Sequence, residues 1–232
     1  PSGWRKWLGL LAASMGMFLG ALDLTVNVAL PTMTASLGAD MASMQWIIII
    51  YIGTMTGVQL VVGRLADARG LKRVYLIGIV TYTVAVAAIG LSPNLGYILP
   101  FRGLQAFGYA MMLTTTPALV TRLFPREQRG RGLGLMGSVG TFGMISATLG
   151  GGYLTGTFGW EAIFLARVPL GVLAFGLAIW LLAEHKSDQP APVDKLGALC
   201  LFTGIASLVL FMNLGGRYGW FSPVVLLVGG LS

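Results

Sequence analysis

Charge is what this sequence has least of. Only 10% of its 232 residues are charged, against roughly a quarter in a soluble domain, which excludes an ordinary soluble fold. Cysteine occurs once, at Cys200 in an apolar run, so no intrachain disulfide can form. Histidine also occurs once, at His185 in a polar loop, without the second ligand that metal spacing requires; no metal site is expected. No Gly-x-x-x-x-Gly-Lys-Ser/Thr loop is present, which removes support for an ATP-driven pump within this stretch. No nucleophile–base pair is visible either, so the chain is not expected to be an enzyme. The first apolar run continues into a full span without a convincing cleavage site, unlike a signal peptide.

What is present is apolar: 56% of residues are hydrophobic, and there are 34 glycines, about twice the usual share. Membrane helices pack closely through such small residues. Runs of the about 20 apolar residues that a bilayer needs fall near 8–30, 45–63, 74–92, 98–120, 132–154, 163–183 and 196–214, with an eighth starting near 220. The 15 cations against 8 acids do not form a nucleic-acid surface. Twelve of them, from Arg5 and Lys6 through the loops at Arg64–Arg73 and Arg122–Arg131 to Lys186 and Lys195, occupy alternate connections, and Arg217 alone lies opposite. The positive-inside rule then puts the N-terminus in the cytoplasm. All six tryptophans, Trp4, Trp7, Trp46, Trp160, Trp180 and Trp220, fall at expected span ends, as an aromatic belt would. The eighth span stops at Ser232 and the chain starts at Pro1 without Met, so it is expected to be part of a longer protein. The expected organisation is an all-α polytopic membrane protein: a six-helix bundle over 1–183, a cytoplasmic linker over 184–195 and extra helices over 196–232.

Three charges stay inside the spans: Asp23, Arg102 and Arg167. A mid-membrane charge costs about 3 kcal/mol on insertion scales and normally faces a cavity or partner. At about 1.5 Å per residue, Asp23 and Arg102 fall at similar depth in the outer half, so an ion pair or a shared watery cavity is allowed; a purely structural pair is the plainer alternative. Arg167 lies near the outer end of span six, where it can snorkel to the interface or serve a site. In span five, Gly143, Ala147 and Gly151 recur every four residues on one face, as Gly53 and Gly57 do in span two. This spacing by itself signals tight packing.

The loop Gly63-Arg64-Leu65-Ala66-Asp67-Ala68-Arg69-Gly70-Leu71-Lys72-Arg73 resembles the loop between helices two and three of the major facilitator superfamily. Arg102-Gly103-Leu104-Gln105-Ala106-Phe107-Gly108 resembles that superfamily's helix-four motif. Leu22-Asp23-Leu24-Thr25-Val26-Asn27-Val28-Ala29-Leu30-Pro31, together with Gln45-Trp46 and Tyr51, is similar to helices one and two of its fourteen-helix drug:proton antiporters. Asp194–Ala198 and Tyr218–Pro223 look like their two extra central helices. Departures accompany the matches. Helix one is a residue short between Thr25 and Asn27, Ala147-Thr148 stands where a Gly-Pro is usual among glycines 134, 143, 151 and 152, and Arg167 stands where an Asn is usual.

The resemblance implies the N-terminal bundle of two inverted three-helix repeats plus one to two extra helices, with the C-terminal bundle as a partner half. It implies a secondary active transporter of a bacterial-type inner membrane, most simply one that exports amphipathic or cationic small molecules by alternating access. No cofactor is called for beyond a proton as coupling ion. Asp23 and Arg102 are the implied proton-coupling residues, since a nearby cation favours the carboxylate and desolvation the acid. Gly63, Asp67, Arg69, Gly70, Lys72 and Arg73 are the implied cytoplasmic gating loop, with anchoring to anionic membrane lipid as its simpler role. Gly134, Gly143, Ala147, Gly151 and Gly152 form the implied packing motif, and Asn27, Gln105, Tyr109 and Arg167 an expected substrate cavity; Met111 and Met112 read more simply as packing. Two other readings stay open: a facilitator or symporter for a metabolite or lipid, and a membrane sensor or assembly partner without flux.

Overall fold

The computed structural model describes residues 3–184 and 195–230. Its elements are α1 (Gly3–Ala21), a 3₁₀ turn (Leu22–Leu24), α2 (Thr25–Leu37), α3 (Met41–Arg69), α4 (Leu71–Gly90), α5 (Leu95–Leu123), α6 (Arg129–Phe158), α7 (Glu161–Leu165), α8 (Arg167–Leu181), α9 (Lys195–Tyr218) and α10 (Pro223–Gly229). The fold is all-helical. α1 and α2 make one interrupted crossing, α7 and α8 another, so the bundle has six: one (α1–α2), two (α3), three (α4), four (α5), five (α6) and six (α7–α8). Five of these are long and apolar enough to span a bilayer on length and composition. The remaining one, α5, is 29 residues long and carries Arg102 and Gln105. The expected linker falls largely on 185–194, outside the described residues.

Every crossing sits where an apolar run was expected, and most extend several residues beyond it. The 30 residues of α6 reach about 45 Å, the thickness of a bilayer including its headgroup zones, whereas hydropathy marks only the about 30 Å hydrocarbon core. Polar caps fix the ends. Asp40 accepts from the Ser43 amide at 3.2 Å to start α3, and Asn94 accepts from the Tyr97 amide at 2.9 Å to start α5, each satisfying an otherwise unpaired amide of the first turn. Gly70, at φ 104°, turns the chain between α3 and α4 in a conformation that disfavours any residue with a side chain.

The helix contacts follow an internal symmetry. Crossing one packs on five, as four packs on two; one packs on six, as four packs on three; and the pairs one–four and three–six each map onto themselves. Exchanging crossings 1↔4, 2↔5 and 3↔6 therefore leaves these contacts unchanged, as two three-helix repeats require. Glycine permits the close ones. A Cβ on Gly108 would lie 2.6 Å from the Tyr82 amide nitrogen and 2.8 Å from the Gly78 carbonyl oxygen, and one on Gly143 would lie 2.8 Å from the Ala21 Cβ.

Two expectations need correction. Of the helix-five motif, Gly143, Ala147 and Gly151 are buried against crossing one, but Gly134 and Gly152 have nothing within 4 Å of a would-be Cβ. Nine helical residues turn the chain by about 900°, which puts Gly134 on the face opposite Gly143. Trp160 is not part of an interfacial belt: it is 1% exposed, with its indole N–H 3.3 Å from Ser36 Oγ. Trp4 and Trp180 do face outward.

Gly108→Ala is expected to lower the thermal unfolding midpoint measured in detergent, because backbone on the facing helix cannot yield and overpacking costs about 1–3 kcal/mol. Gly134→Ala and Gly152→Ala should leave it unchanged or raise it, since helical Gly→Ala gains up to about 1 kcal/mol where space is open.

Candidate functional site

The site grows from the 3₁₀ turn of crossing one. Asp23 sits in that turn with its side chain 7% exposed. Its carboxylate accepts hydrogen bonds from three other crossings: from the Tyr51 hydroxyl on α3, from Gln105 Nε2 on α5 at 2.7 Å, and from Arg167 on α8 at 2.5 Å. Arg102, one helical turn before Gln105, approaches the same carboxylate at 3.6 Å. It donates instead to Gln105 Oε1 at 2.7 Å and to the Ile47 carbonyl at 3.3 Å, and its guanidinium lies 4.3 Å from the centre of the Tyr51 ring. Gln105 thus relays between cation and anion, its amide oxygen towards Arg102 and its nitrogen towards Asp23. Arg167 donates further to the Leu22 carbonyl at 2.7 Å and to Thr25 Oγ1, while its Nε is buried without a partner.

The expected Asp23–Arg102 ion pair is present at 3.6 Å, but the closer, hydrogen-bonded partner of the carboxylate is Arg167 at 2.5 Å. Arg167 does not snorkel: it is 1% exposed. Its helix starts at Arg167 itself, which aims the side chain back over Leu22 and Thr25. Gln105 and Arg167 therefore belong to a sealed cluster and do not line an open cavity. Asn27 is exposed, and Tyr109 stacks on Tyr51 with centroids 6.3 Å apart. Met111 and Met112 are buried packing. With both guanidinium groups and an ionised Asp23, the cluster carries one net positive charge. Tyr82 and Tyr75 of α4 brace crossing one from behind, donating to the carbonyls of Leu19 and of Ala12 and Ala13.

The expected gating loop, Gly63 to Arg73, lies at the far end of α3 and the start of α4. Its unforeseen partner is Glu184, just past α8. The carboxylate of Glu184 accepts from the Lys72 and Arg73 amides at 3.1 and 3.0 Å, an anion at a helix N-terminus where the dipole favours it. Lys72 Nζ donates to the Ile179 carbonyl at 2.7 Å, a cation at a helix C-terminus. Asp67 lines an open cavity of about 690 Å³ with Arg64, Gln59 and Thr114, and Gly63 forms part of its wall. Tyr51, Thr25 and Glu184 were missed as site residues. Tyr51 and Thr25 left a sequence signal, through their places in the helix-two and helix-one patterns; Glu184 becomes a partner through the fold.

A helical bundle of six apolar crossings with a charge cluster sealed among them is an integral membrane protein of the transporter type. The family model of the Major Facilitator Superfamily matches residues 7–232, and the chain belongs to that superfamily. It is 29% identical over 226 residues to the riboflavin transporter RibZ of Clostridioides difficile, a match covering 97% of this chain and 50% of RibZ. It is 31% identical over 217 residues to the multidrug resistance protein Stp of Mycobacterium tuberculosis, covering 93% of this chain and 40% of Stp. The chain thus spans half or less of the length of these relatives. A crystal structure of the peptide transporter POT in complex with sulfate has the same fold over 94% of this chain and 48% of POT, with a TM-score of 0.71 at 16% identity.

Arg167→Met is expected to destabilise more than Arg102→Met. The first strips the carboxylate of its direct partner, and breaking a buried pair costs about 3–5 kcal/mol. The second leaves a one-to-one pair intact. Thermal unfolding of the two variants in the same detergent gives the order.

Proposed function

We propose that this chain is the N-terminal half of a proton-coupled exporter of small amphipathic molecules, working by alternating access with a second six-helix half in a bacterial-type inner membrane, its N-terminus cytoplasmic. The observation that carries this is Asp23, a buried carboxylate bound at once by groups from three other crossings. A proton on Asp23 removes the negative charge that these donors share and converts one acceptor oxygen into a donor. The two guanidinium groups are then left without a counter-ion in low dielectric, the attraction holding crossings four and six to crossing one is lost, and repulsion pushes four and six away from each other. Proton release restores the cluster. Carrying one proton thereby becomes a change in helix packing, which is what coupling to alternating access needs. The gating loop acts through Glu184, which ties α4 to the end of crossing six. No cofactor enters this scheme; the partners are the membrane lipid, the second half and the substrate.

A second reading, a facilitator or symporter for a metabolite, draws on Ala147-Thr148 in place of Gly-Pro and on the relative named for riboflavin. Proteoliposomes of the full-length protein distinguish the two. Ethidium flux driven by an imposed pH gradient is expected, with Asp23→Asn reducing it at least about tenfold while ethidium exchange at equal pH survives. Gradient-driven flux persisting in Asp23→Asn would overturn the coupling role, and flux indifferent to the gradient in the unaltered protein would favour the second reading.

A further inference from the structure

Away from the charge cluster, a groove of about 780 Å³ runs along the outside of the bundle between α1 and α6, with Leu170 of α8 also lining it. Leu11 and Met15 line it on α1, and Leu135, Val139 and Phe142 on α6. Leu11 and Phe142 are 50% and 63% exposed, so this apolar surface is uncovered. One end is closed by Phe18 stacked on Phe142, centroids 6.1 Å apart. The other is basic. Lys6 and Arg131 each lie 5.4 Å from the Trp7 ring centroid, and Lys6 donates to Gln128 Oε1 at 3.1 Å. Arg5, Arg126 and Arg129 are exposed at the same end, where Glu127 is the acid beside them among the described residues.

Dimensions narrow the occupant. From Trp7 to Phe18, and in parallel from Arg131 to Phe142, each helix advances about 16 Å, which matches the about 15 Å depth of one hydrocarbon leaflet. The groove is therefore one leaflet deep, with its cations at headgroup level. We propose that it is a binding site for an anionic phospholipid, an acyl chain lying along Leu11, Met15, Leu135 and Val139 and the phosphate between Lys6 and Arg131. Trp7, its ring within 5.4 Å of each cation, sits at the height where an amphipathic ring is favoured. A soluble anion would use only the mouth and leave the apolar walls in place for nothing; a neutral lipid would use the walls and gain nothing from the cations.

The test uses the full-length protein in mild detergent. Native mass spectrometry with phosphatidylglycerol or phosphatidylcholine added is expected to show preferential retention of phosphatidylglycerol. Each cation near the surface contributes about fivefold, so the Lys6→Gln/Arg131→Gln double variant should lose about 25-fold of that preference. Val139→Trp keeps both cations and fills the groove, and should also lose the bound lipid; an unchanged unfolding midpoint shows that the variant is folded. The Trp7 emission, taken as the difference between the unaltered protein and Trp7→Phe, should be quenched by brominated phosphatidylglycerol at lower mole fraction than by brominated phosphatidylcholine. Equal retention of both lipids, or a preference that survives the double variant, would overturn the proposal. So would inorganic phosphate that displaces the lipid while Val139→Trp has no effect, which would make the mouth a plain anion site. Absence of Trp7 quenching by either lipid would mean that another protein surface covers the groove.

Discussion

A carboxylate taken out of water must be compensated on the spot, and Asp23 is the place where this bundle meets that requirement. Its two oxygens accept from Tyr51, Gln105 and Arg167, which come from crossings two, four and six. In a soluble protein a lost partner can be replaced by solvent. In hydrocarbon it cannot, so the relative positions of four crossings are tied to one charge. The same dependence makes the charge useful: anything that neutralises it acts on four helices at once.

Glycine makes such a cluster reachable. Polar side chains from four helices can converge only if the helices approach closely, and the contacts at Gly108 against Gly78 and Tyr82, and at Gly143 against Ala21 and Phe18, bring crossing four onto three and five onto one. Under the exchange of repeats the first corresponds to the packing of one on six and the second to that of four on two. Crossings one and four also map onto each other, so Asp23 and Arg102 stand on equivalent helices, while Arg167 is an addition that the repeat does not foretell. It binds the carboxylate at 2.5 Å while Arg102 stands at 3.6 Å, with Gln105 bonded to both Asp23 and Arg102.

The number, order and approximate limits of the crossings were legible because the hydrocarbon thickness acts on every apolar run alike. The three intramembrane charges were legible for the same reason: each violates that rule. That Arg167 comes closest to Asp23 was not: depth matches Asp23 with Arg102, but depth ignores rotation about the helix axis, and rotation decides which cation lies nearest. The early 3₁₀ turn at Leu22–Leu24 and the start of α8 at Arg167 set those rotations. The glycines of α6 show the limit from another side: Gly134 and Gly143 belong to one sequence pattern and to opposite faces.

By itself, the sequence determined a helical membrane bundle, its crossings, its basic loops and the residues that break the apolar rule, since these follow from the one-dimensional cost of placing each residue in hydrocarbon. Tertiary structure alone decided that Arg167 holds Asp23 more closely than Arg102 does, that Glu184 anchors the start of α4, and that Trp160 is buried. Those outcomes depend on which faces of separate helices meet, and the residues involved stand 144, 112 and 124 positions apart in the chain.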